Sequence, residues 1–276
     1  MDFLKEMTVE EVKRVQVEIL KGVDAFCRAK EIPYFLAYGT LLGAVRHKGY
    51  IPWDDDIDLV MLRADYERFL KEFNRENGCL KVMHWSMDCA YPFEFAKIAD
   101  TRTLLVEETD IAYENLGINI DCFVLDDLPE DMDGFRQLRK RIGRVERIAE
   151  IKRMLPNSRR KRSAGKAILT SVLKAAVKPV SMKWCMQTVD RISQSCHGPA
   201  ESSKVGDVCQ PYFGDNEILE KIWFSDHTEV EFEGCHFPAP CGTDQTLTAW
   251  YGDYMQLPPE EERVTHHSYK AYRLDE

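Results

Sequence analysis

The sequence predicts an α/β (α+β) fold in which a mixed sheet is flanked by helices and followed by a mainly helical C-terminal part. Up to about residue 128, short strand-like apolar runs alternate with segments whose apolar residues recur at helical spacing. After Pro129 the helical spacing dominates. This order is typical of a sheet domain joined to a helical region. We therefore divide the chain into residues 1–128 and residues 129–276.

The first predicted element is a helix over residues 8–30. Thr8 and Glu11 stand three positions apart, as in a capping box, and the apolar residues that follow recur every three or four positions. Pro33 ends the helix, because proline lacks a backbone N–H group and clashes with the preceding turn. Of the 276 residues, 44% are hydrophobic, which is enough for a sizeable core against which this helix packs.

Strands and helices then alternate through the first region. A short apolar strand at residues 34–38 leads into Gly39 and Thr40, and we expect the Thr40 side chain to cap a helix over residues 41–47. The pattern further predicts a strand in the acidic run near residue 56, a helix over residues 63–73, and strands near residues 80–85, 93–99, 103–106 and 117–125.

The second region begins after Asp126 and Asp127, which we predict as turn residues at the end of the last strand. Helical spacing covers residues 131–155 and 164–196. The remainder of the region is predicted to contain short strands at residues 221–224 and 229–232 and one helix near residues 243–251.

The net charge of −10 is unevenly distributed. Residues 152–191 contain eleven Lys or Arg residues and a single acid, Asp190, which gives a local balance of +10. This asymmetry argues against a nucleic-acid-binding protein and for one local basic surface. The helix over residues 164–180 is basic and amphipathic. We favour a helix docked by its apolar face with solvated lysines, and the alternative is peripheral contact with an anionic membrane or a polyanionic acceptor.

Cysteine usage and hydropathy indicate the compartment. Nine cysteines at irregular spacings, with no Cys-x-x-Cys pair, are typical of reduced thiols. A zinc site from Cys209, Cys235, His236 and Cys241 is conceivable, but it lacks the usual ligand spacing. No apolar run of twenty residues and no signal peptide is found, so we expect a cytoplasmic protein, peripheral at the inner face of the membrane if the basic helix binds lipid.

The acidic run at Asp54, Asp55, Asp56 and Asp58 is the most informative stretch of the chain. Four carboxylates within five residues repel one another and resist removal from water. Such a run is stable if it is fully solvated or if a divalent cation neutralises it. Because alternate residues of a strand share a face, Asp56 and Asp58 can point together, whereas Asp55 faces away.

A phosphate-binding turn is predicted shortly before the acidic run. Gly39 allows close backbone approach to a ligand, and N–H groups at the start of a helix after Thr40 attract phosphate. A third carboxylate is offered by Asp121, in an otherwise apolar strand. Either it serves a cation or a proton transfer, or it pairs with a nearby lysine or caps a neighbouring turn. Together with Asp56 and Asp58, these residues predict a metal-dependent phosphoryl-transfer site.

Basic residues near this site are candidate substrate ligands. Arg46 and His47 follow the Gly-Thr turn and can neutralise a diphosphate, with solvated helix-end charges as the alternative. Lys97 lies in a strand-like run among apolar residues, so it needs an anionic partner unless it faces solvent. For His266 and His267, near the C-terminus, the two interpretations are that they reach the site or that they are structural, as a lone histidine more often is.

Four stretches together resemble one protein family. They are residues 38–58 (YGTLLGAVRHKGYIPWDDDID), 95–103 (FAKIADTRT), 120–126 (IDCFVLD) and 251–259 (YGDYMQLPP), followed by His266. These stretches resemble the signature of the LicD family of phosphocholine transferases, which share a nucleotidyltransferase-type fold with the fukutins. The likeness spans most of the chain and leaves the basic region 152–191 unmatched.

The resemblance implies a Mg²⁺-dependent phosphotransferase, with Mn²⁺ as the alternative ion. It would move phosphocholine, or a similar phospho-alcohol, from a donor such as CDP-choline to a hydroxyl of a cell-surface glycan, such as teichoic acid or lipopolysaccharide, or its lipid-linked precursor. Asp56, Asp58 and Asp121 match the family's metal-binding carboxylates and are the predicted catalytic residues. Gly39 and Thr40 match the phosphate-contacting turn, and the motif also includes Arg46.

The sequence leaves three interpretations of the function open. The alternatives to the phosphotransferase are a nucleotidyltransferase acting on a small sugar or drug hydroxyl and an inactive scaffold of the same fold. A choline head group favours an aromatic cage, and the sequence does not select its members. Phosphoethanolamine or ribitol phosphate are therefore alternative transferred groups.

Overall fold

A computed structural model describes residues 5–75, 78–107, 113, 116–153, 164–196, 202–209, 214–265 and 269–274, with the backbone alone for residues 164–169. The described residues form seven α-helices: α1 (Val9–Lys30), α2 (Tyr38–His47), α3 (Arg63–Glu72), α4 (Met132–Arg153), α5 (Ala164–Val177), α6 (Met182–Ser193) and α7 (Thr243–Tyr251). They also form eleven strands: β1 (Phe35–Leu36), β2 (Asp58–Leu62), β3 (Leu80–Met83), β4 (Ala96–Asp100), β5 (Thr103–Glu107), β6 (Asn119–Asp127), β7 (Lys204–Gly206), β8 (Leu219–Glu220), β9 (His227–Phe232), β10 (Cys235–Pro240) and β11 (Tyr269–Arg273).

The central sheet is mixed, as the sequence predicted. Its strands follow the order β1-β2-β6-β4-β3, with β7 and β8 added beside the end of β6. Strand β6 runs parallel to β2 and antiparallel to β4, so it is buried between two neighbours. A hairpin of β9 and β10 and a pair of β5 with β11 complete the strand pairing. The mixed sheet with flanking helices confirms the predicted fold class.

The predicted capping box opens helix α1. The Thr8 hydroxyl oxygen accepts the backbone N–H of Glu11 at 3.2 Å, and the Glu11 carboxylate accepts the backbone N–H of Thr8 at 2.8 Å. These two bonds satisfy donors that a helix start otherwise leaves without partners. The apolar stripe predicted from the spacing is buried against the sheet, including Val12, Ile19 and Val23.

Two local predictions in the strands are wrong. The predicted strand at Lys221–Phe224 is a 3₁₀ turn. Asp126 and Asp127 are not turn residues, because β6 continues through both and pairs there with β7. Their acidic side chains mimic a turn signal in the sequence, but each has a long-range basic partner in the fold. Arg63 contacts Asp126 and Lys221 contacts Asp127.

The predicted helical segment over residues 164–196 is two helices. Helix α5 ends at Val177 and α6 begins at Met182. Pro179 stands between them, and a proline at this point removes a backbone donor and disfavours helix before it. Ser181 then caps α6, since its hydroxyl oxygen accepts the backbone N–H of Trp184 at 3.1 Å.

Two hydrophobic clusters organise the described residues. The main core takes side chains from α1, α2 and the central sheet, but also from β10 and α7 near the C-terminus. A second cluster joins α4 and α6 through residues such as Phe135, Ile142 and Val189. The main core is therefore shared across the predicted boundary at residue 128, and that boundary stays a prediction.

None of the helices in the described part of the chain combines the length and the apolar character needed to cross a membrane. All nine cysteines are free thiols. Across the described ranges, no three His, Cys, Asp or Glu side chains stand together as a metal-binding group. The conceivable zinc ligands Cys209, Cys235, His236 and Cys241 are among the residues to which this applies.

Candidate active site

Three side chains form a row at one end of the central sheet. Asp58 begins β2 and is the register partner of Asp121 on β6, which is in turn the register partner of Lys97 on β4. Side chains of register partners project from the same face of a sheet. Two carboxylates and one ammonium group, all predicted as site residues, therefore stand side by side. We call these three residues the charged row.

The ammonium group of Lys97 is buried and is held by Asp121. Its Nζ atom donates to the two carboxylate oxygens of Asp121 at 2.7 and 3.0 Å and to the side-chain oxygen of Asn119 at 3.1 Å. The expectation that this lysine needs an anionic partner is confirmed, and the partner is a protein carboxylate. Of the two readings of Asp121, pairing with lysine is observed, and its role as metal ligand or base stays a prediction.

Negative charge is concentrated around Asp58. Burial raises the pKa of its carboxyl group well above the usual value. The carboxylates of Asp56, Asp121 and Asp54 raise this pKa further, and the ammonium group of Lys97 acts in the opposite direction. A divalent cation would relieve this repulsion. The residues thus fit a cation by their charge and register, although the described side chains do not form a ready coordination sphere.

Gly39 and Thr40 lie in the first turn of α2, which starts earlier than predicted, with Ala37 at the N-cap. The prediction that Thr40 caps a helix is wrong. Its hydroxyl oxygen instead accepts the backbone N–H of Asp58 at 2.8 Å, so it ties α2 to the start of β2. Gly39 faces the Asp54 carboxylate so closely that a Cβ atom would overlap it. Phosphate binding by this turn stays a prediction.

The second and third aspartates of the acidic run have different surroundings. Asp55 is buried, and its backbone oxygen accepts a hydrogen bond from the Gln16 side chain at 3.0 Å. After the larger effect of burial, its carboxylate raises the pKa of Tyr269 on β11. Asp56 contributes to the field at Asp58. The run is therefore divided between the face of the charged row and contacts with α1 and β11.

A cleft of about 530 Å³ opens beside the start of α2. Of the acidic run, Asp54 lines this cleft, and the C-terminal stretch 251–259 lines the opposite side. Arg46 links the two, because its Nη1 atom donates to the backbone oxygen of Tyr254 at 2.9 Å. The lining residues include Gly39, Arg46, Trp53, Asp54, Tyr251 and Pro258.

His47 stands at the rim of the same helix. Its Nε2 atom accepts a hydrogen bond from Arg46 Nε at 3.0 Å. Burial lowers the pKa of His47, and the neighbouring Arg46 charge lowers it further, so the imidazole is neutral at pH 7. Arg46 and His47 are the last two residues of α2, at the opposite end of the helix from Gly39. A donor molecule would have to extend along the cleft to contact both ends.

Sequence reasoning missed two buried carboxylates near the charged row. Asp207 follows β7, and Glu217 ends a 3₁₀ turn at Gly214–Glu217. Both raise the pKa of the Tyr38 phenol, as Asp58 does, after the larger effect of burial. Neither residue stands in a periodic or clustered pattern. Acidic residues are rarely fully buried, and a single sequence does not show which of them are. No sequence signal therefore marked these two.

Comparison with known proteins decides the family. The model of the LicD/FKTN/FKRP nucleotidyltransferase domain matches residues 31–112. The lipopolysaccharide cholinephosphotransferase LicD of Haemophilus influenzae is 32% identical over 279 aligned positions, which cover 98% of this chain and all of that protein. The chain belongs to the LicD family. It is a transferase of the LicD type, as the sequence motifs implied.

Shorter matches join the chain to two uncharacterized rickettsial proteins. The protein of Rickettsia typhi is 33% identical over 76 residues, which cover 26% of this chain and 25% of that protein. The protein of Rickettsia prowazekii is 42% identical over 48 residues, which cover 17% and 18% respectively. The part of this LicD-family chain that matches the domain model includes Asp58 and Lys97, while Asp121 lies beyond residue 112. His266 and His267 lie outside the described residues.

Proposed function

We propose that this LicD-family chain transfers phosphocholine, or a similar phospho-alcohol, from a CDP-linked donor to a hydroxyl of a cell-surface glycan or its lipid-linked precursor. The observation that carries the proposal is the charged row of Asp58, Asp121 and Lys97, in a chain that resembles a lipopolysaccharide cholinephosphotransferase over its full length. Phosphoryl transfer needs positioning and charge neutralisation rather than covalent chemistry by the protein.

In this reaction the acceptor oxygen forms a bond to the phosphorus that carries the choline. The bond from that phosphorus to the bridging oxygen breaks, and CMP leaves. A sugar hydroxyl is a weak nucleophile, so a carboxylate must accept its proton as the new bond forms. Asp121 is our choice for that base or for a shared metal ligand. Lys97 stands beside it and offsets negative charge on the phosphates.

We further propose that Asp56, Asp58 and Asp121 hold a Mg²⁺ or Mn²⁺ ion. Bound there, the ion would neutralise the donor diphosphate and polarise the reacting phosphoryl group. Beyond the larger effect of burial, the neighbouring carboxylates raise the pKa of Asp58, and this concentration of negative charge supports the assignment. Gly39 and Thr40, at the start of α2, and Arg46 and His47, at its end, are proposed to contact the donor along the cleft.

One assay separates the three readings of the function. The protein is incubated with CDP-choline, Mg²⁺ and lipopolysaccharide or other glycan acceptors, and the products are identified by mass spectrometry. CMP together with a phosphocholine-modified acceptor is the expected result. Pyrophosphate release from a nucleoside triphosphate would instead indicate a nucleotidyltransferase. Neither product, combined with no metal binding, would indicate an inactive scaffold.

A lipid-linked acceptor requires that the protein reach a membrane. Helices α5 and α6 carry exposed apolar side chains suited to that contact. Val172 and Leu173 are 60% and 40% exposed, and Trp184 is 46% exposed. Residues 152–191 have a local balance of +10 in a chain of net charge −10. Exposed apolar side chains among lysines are suited to anionic lipid. We propose that this surface binds the inner face of the membrane, and the free cysteines support a reducing, cytoplasmic location.

Vesicle sedimentation tests the membrane surface. We expect the protein to sediment with phosphatidylglycerol vesicles, and less so as salt rises, because screening weakens the attraction to lysines. Replacing Val172 and Leu173 by Ser is expected to reduce the bound fraction about tenfold through lost apolar burial. Ile222→Ser is the matched control, since Ile222 is 68% exposed on a different segment. Absence of sedimentation with anionic vesicles would overturn this proposal.

A further inference from the structure

Gln16 is a buried polar residue on the apolar face of α1, and only 6% of it is exposed. Its Nε2 atom donates to the backbone oxygen of Asp55 at 3.0 Å and makes a longer contact, at 3.4 Å, with the backbone oxygen of Asn119. These partners lie 39 and 103 residues away along the chain. A buried amide lowers stability unless its hydrogen bonds are made, and here they join α1 to two segments of the site.

The two carbonyl oxygens that Gln16 contacts lie just before the ladder between β2 and β6. That ladder begins at the register pair of Asp58 and Asp121. Upstream of it, Asp55 belongs to the acidic run and Asn119 begins β6. Two acceptor oxygens cannot bond to each other, so a donor must stand between them, and an amide nitrogen supplies two N–H groups. Gln16 therefore holds the acidic run beside β6 at a point beyond the strand pairing.

Tyr50 fixes the orientation of this amide. Its hydroxyl group donates to the Oε1 atom of Gln16 at 2.9 Å, which is shorter than its 3.4 Å contact with the backbone oxygen of Lys13. Burial raises the pKa of Tyr50, and the Glu233 carboxylate raises it further, so the phenol keeps its proton and stays a donor. Because only the oxygen of an amide accepts, the Nε2 atom of Gln16 is left facing the two carbonyl oxygens.

Asn119 connects this contact to the charged row. Its side-chain oxygen accepts a hydrogen bond from Lys97 Nζ at 3.1 Å, and its Nδ2 atom donates to the backbone oxygen of Gly117 at 2.8 Å. The residue whose backbone contacts Gln16 thus also orients the ammonium group. The other carbonyl that Gln16 contacts directly precedes Asp56, one of the proposed metal ligands. A shift of either carbonyl would change the separation between the acidic run and β6.

We propose that Gln16 is a positioning residue of the transferase site, an inference that rests on the proposed function. It acts through the backbone of the acidic run and of β6, which it holds at a fixed separation. Carboxylates from two separate segments bind a small cation tightly only where both segments are held in place, because the ligand distances tolerate little change. Gln16 thereby keeps Asp56 and Asp58 in place relative to Asp121.

Calorimetric titration with Mn²⁺ tests this role, with Gln16→Met as the variant. Methionine has nearly the same shape but no side-chain N–H groups, so the two carbonyl oxygens lose their shared donor. We expect the folded variant to bind Mn²⁺ about tenfold more weakly, as happens when residues that support metal ligands are replaced. The turnover number with CDP-choline and acceptor is expected to fall about 10²-fold, because a displacement of about 1 Å at a reacting group has an effect of this size.

Asn74→Leu is the matched control. The Asn74 amide also bonds the backbone of another segment, because its Nδ2 atom donates to the backbone oxygen of Val82 at 3.1 Å and its Oδ1 atom accepts the Val82 N–H at 2.7 Å. Val82 lies on β3, which is separated from β6 by β4 in the strand order. Losing these bonds is expected to lower the melting temperature without changing the Mn²⁺ affinity. A residue that only stabilised the fold would behave as Asn74 does.

The outcomes separate the role of Gln16 from the proposed function. If the wild-type protein transfers no phosphocholine but Gln16→Met, and not Asn74→Leu, weakens Mn²⁺ binding, the proposed function fails and the positioning role stands. If transfer occurs and the folded Gln16→Met variant keeps the wild-type Mn²⁺ affinity, the positioning role is overturned. Wild-type protein that binds no Mn²⁺, or an equal loss of affinity in Asn74→Leu, would also overturn it.

Tyr50→Phe is the second variant, should Gln16→Met not fold. It removes only the hydroxyl group that orients the Gln16 amide. We expect it to weaken Mn²⁺ binding about threefold, which is the effect of one lost hydrogen bond. An unchanged Mn²⁺ affinity in this variant would then overturn the proposal.

Discussion

Asp58→Asn is expected to lower the turnover number about 10³-fold while the protein stays folded. Neutralising charge at a transferring phosphoryl group contributes several kcal/mol to the rate, and Asp58 begins the strand that carries the charged row. Turnover with CDP-choline and acceptor is the measurement. Asp55→Asn is the matched control from the same run, because Asp55 lies beside Tyr269 rather than in the charged row. A variant at Asp58 with wild-type turnover would contradict the metal assignment.

The same substitution is expected to stabilise the metal-free protein. Because the pKa of Asp58 is raised in the folded state, the native protein holds this proton at pH values where the unfolded chain has lost it. Stability therefore falls as the pH rises from the unfolded pKa to the folded pKa, and it stays lower above that range. Asparagine cannot ionise, so the variant escapes this loss. Thermal unfolding with a chelator at pH 5 and pH 8 measures the difference, and added Mg²⁺ is expected to stabilise only the wild-type protein.

Arg63→Leu is expected to lower the free energy of unfolding by about 3–5 kcal/mol. Arg63 donates two hydrogen bonds to Asp126, at 2.7 and 2.6 Å, and one to Asp190 at 2.8 Å. Asp126 is fully buried, so removing the guanidinium group takes a positive charge away from a carboxylate that water cannot solvate. Arg63 also links the two hydrophobic clusters, because its second partner, Asp190, lies on α6. Urea unfolding followed by circular dichroism is the measurement.

Arg28→Leu is the matched control for Arg63. Arg28 also contacts two acids, Asp24 and Glu229, each at 2.8 Å, but its side chain is 47% exposed. Exposed ion pairs of this kind contribute about 0–1 kcal/mol. A double variant, Arg63→Leu with Asp126→Leu, is expected to recover part of the lost stability because the fully buried carboxylate is then removed together with the guanidinium group. Equal effects for Arg63→Leu and Arg28→Leu would contradict the importance of burial.

Several elements could be predicted because their signals are local. The capping box of Thr8 and Glu11, the apolar stripe of α1 and the bounds of α7 each depend on residues within one or two turns. The errors have local causes as well. Acidic residues at the end of β6 mimic a turn, and a helical pattern over residues 164–196 hides the break at Pro179. A pattern of apolar residues does not distinguish a strand from a 3₁₀ turn over only four positions, as at Lys221–Phe224.

The sequence by itself determined which residues are the candidates for the chemistry. The Gly39-Thr40 pair, the acidic run and Asp121 were selected by residue type and spacing, and the motifs around them identified the LicD family before any contact was known. Residue type limits chemistry directly, because only some side chains can hold a cation, accept a proton or contact a phosphate. Spacing along one strand or one helix turn further indicates which of them share a face.

Only the tertiary structure decided which of these groups meet. Lys97 and Asp121 are register partners although 24 residues separate them, and Tyr38 packs against Trp250 across more than two hundred residues. Strand order and register fix such pairs. The alternation of apolar and polar residues along a strand carries no information about which strands become neighbours. The same limit applies to the buried Glu217, whose burial depends on packing between distant segments. Local patterns specify elements and chemistry, whereas long-range pairing assembles them into a site.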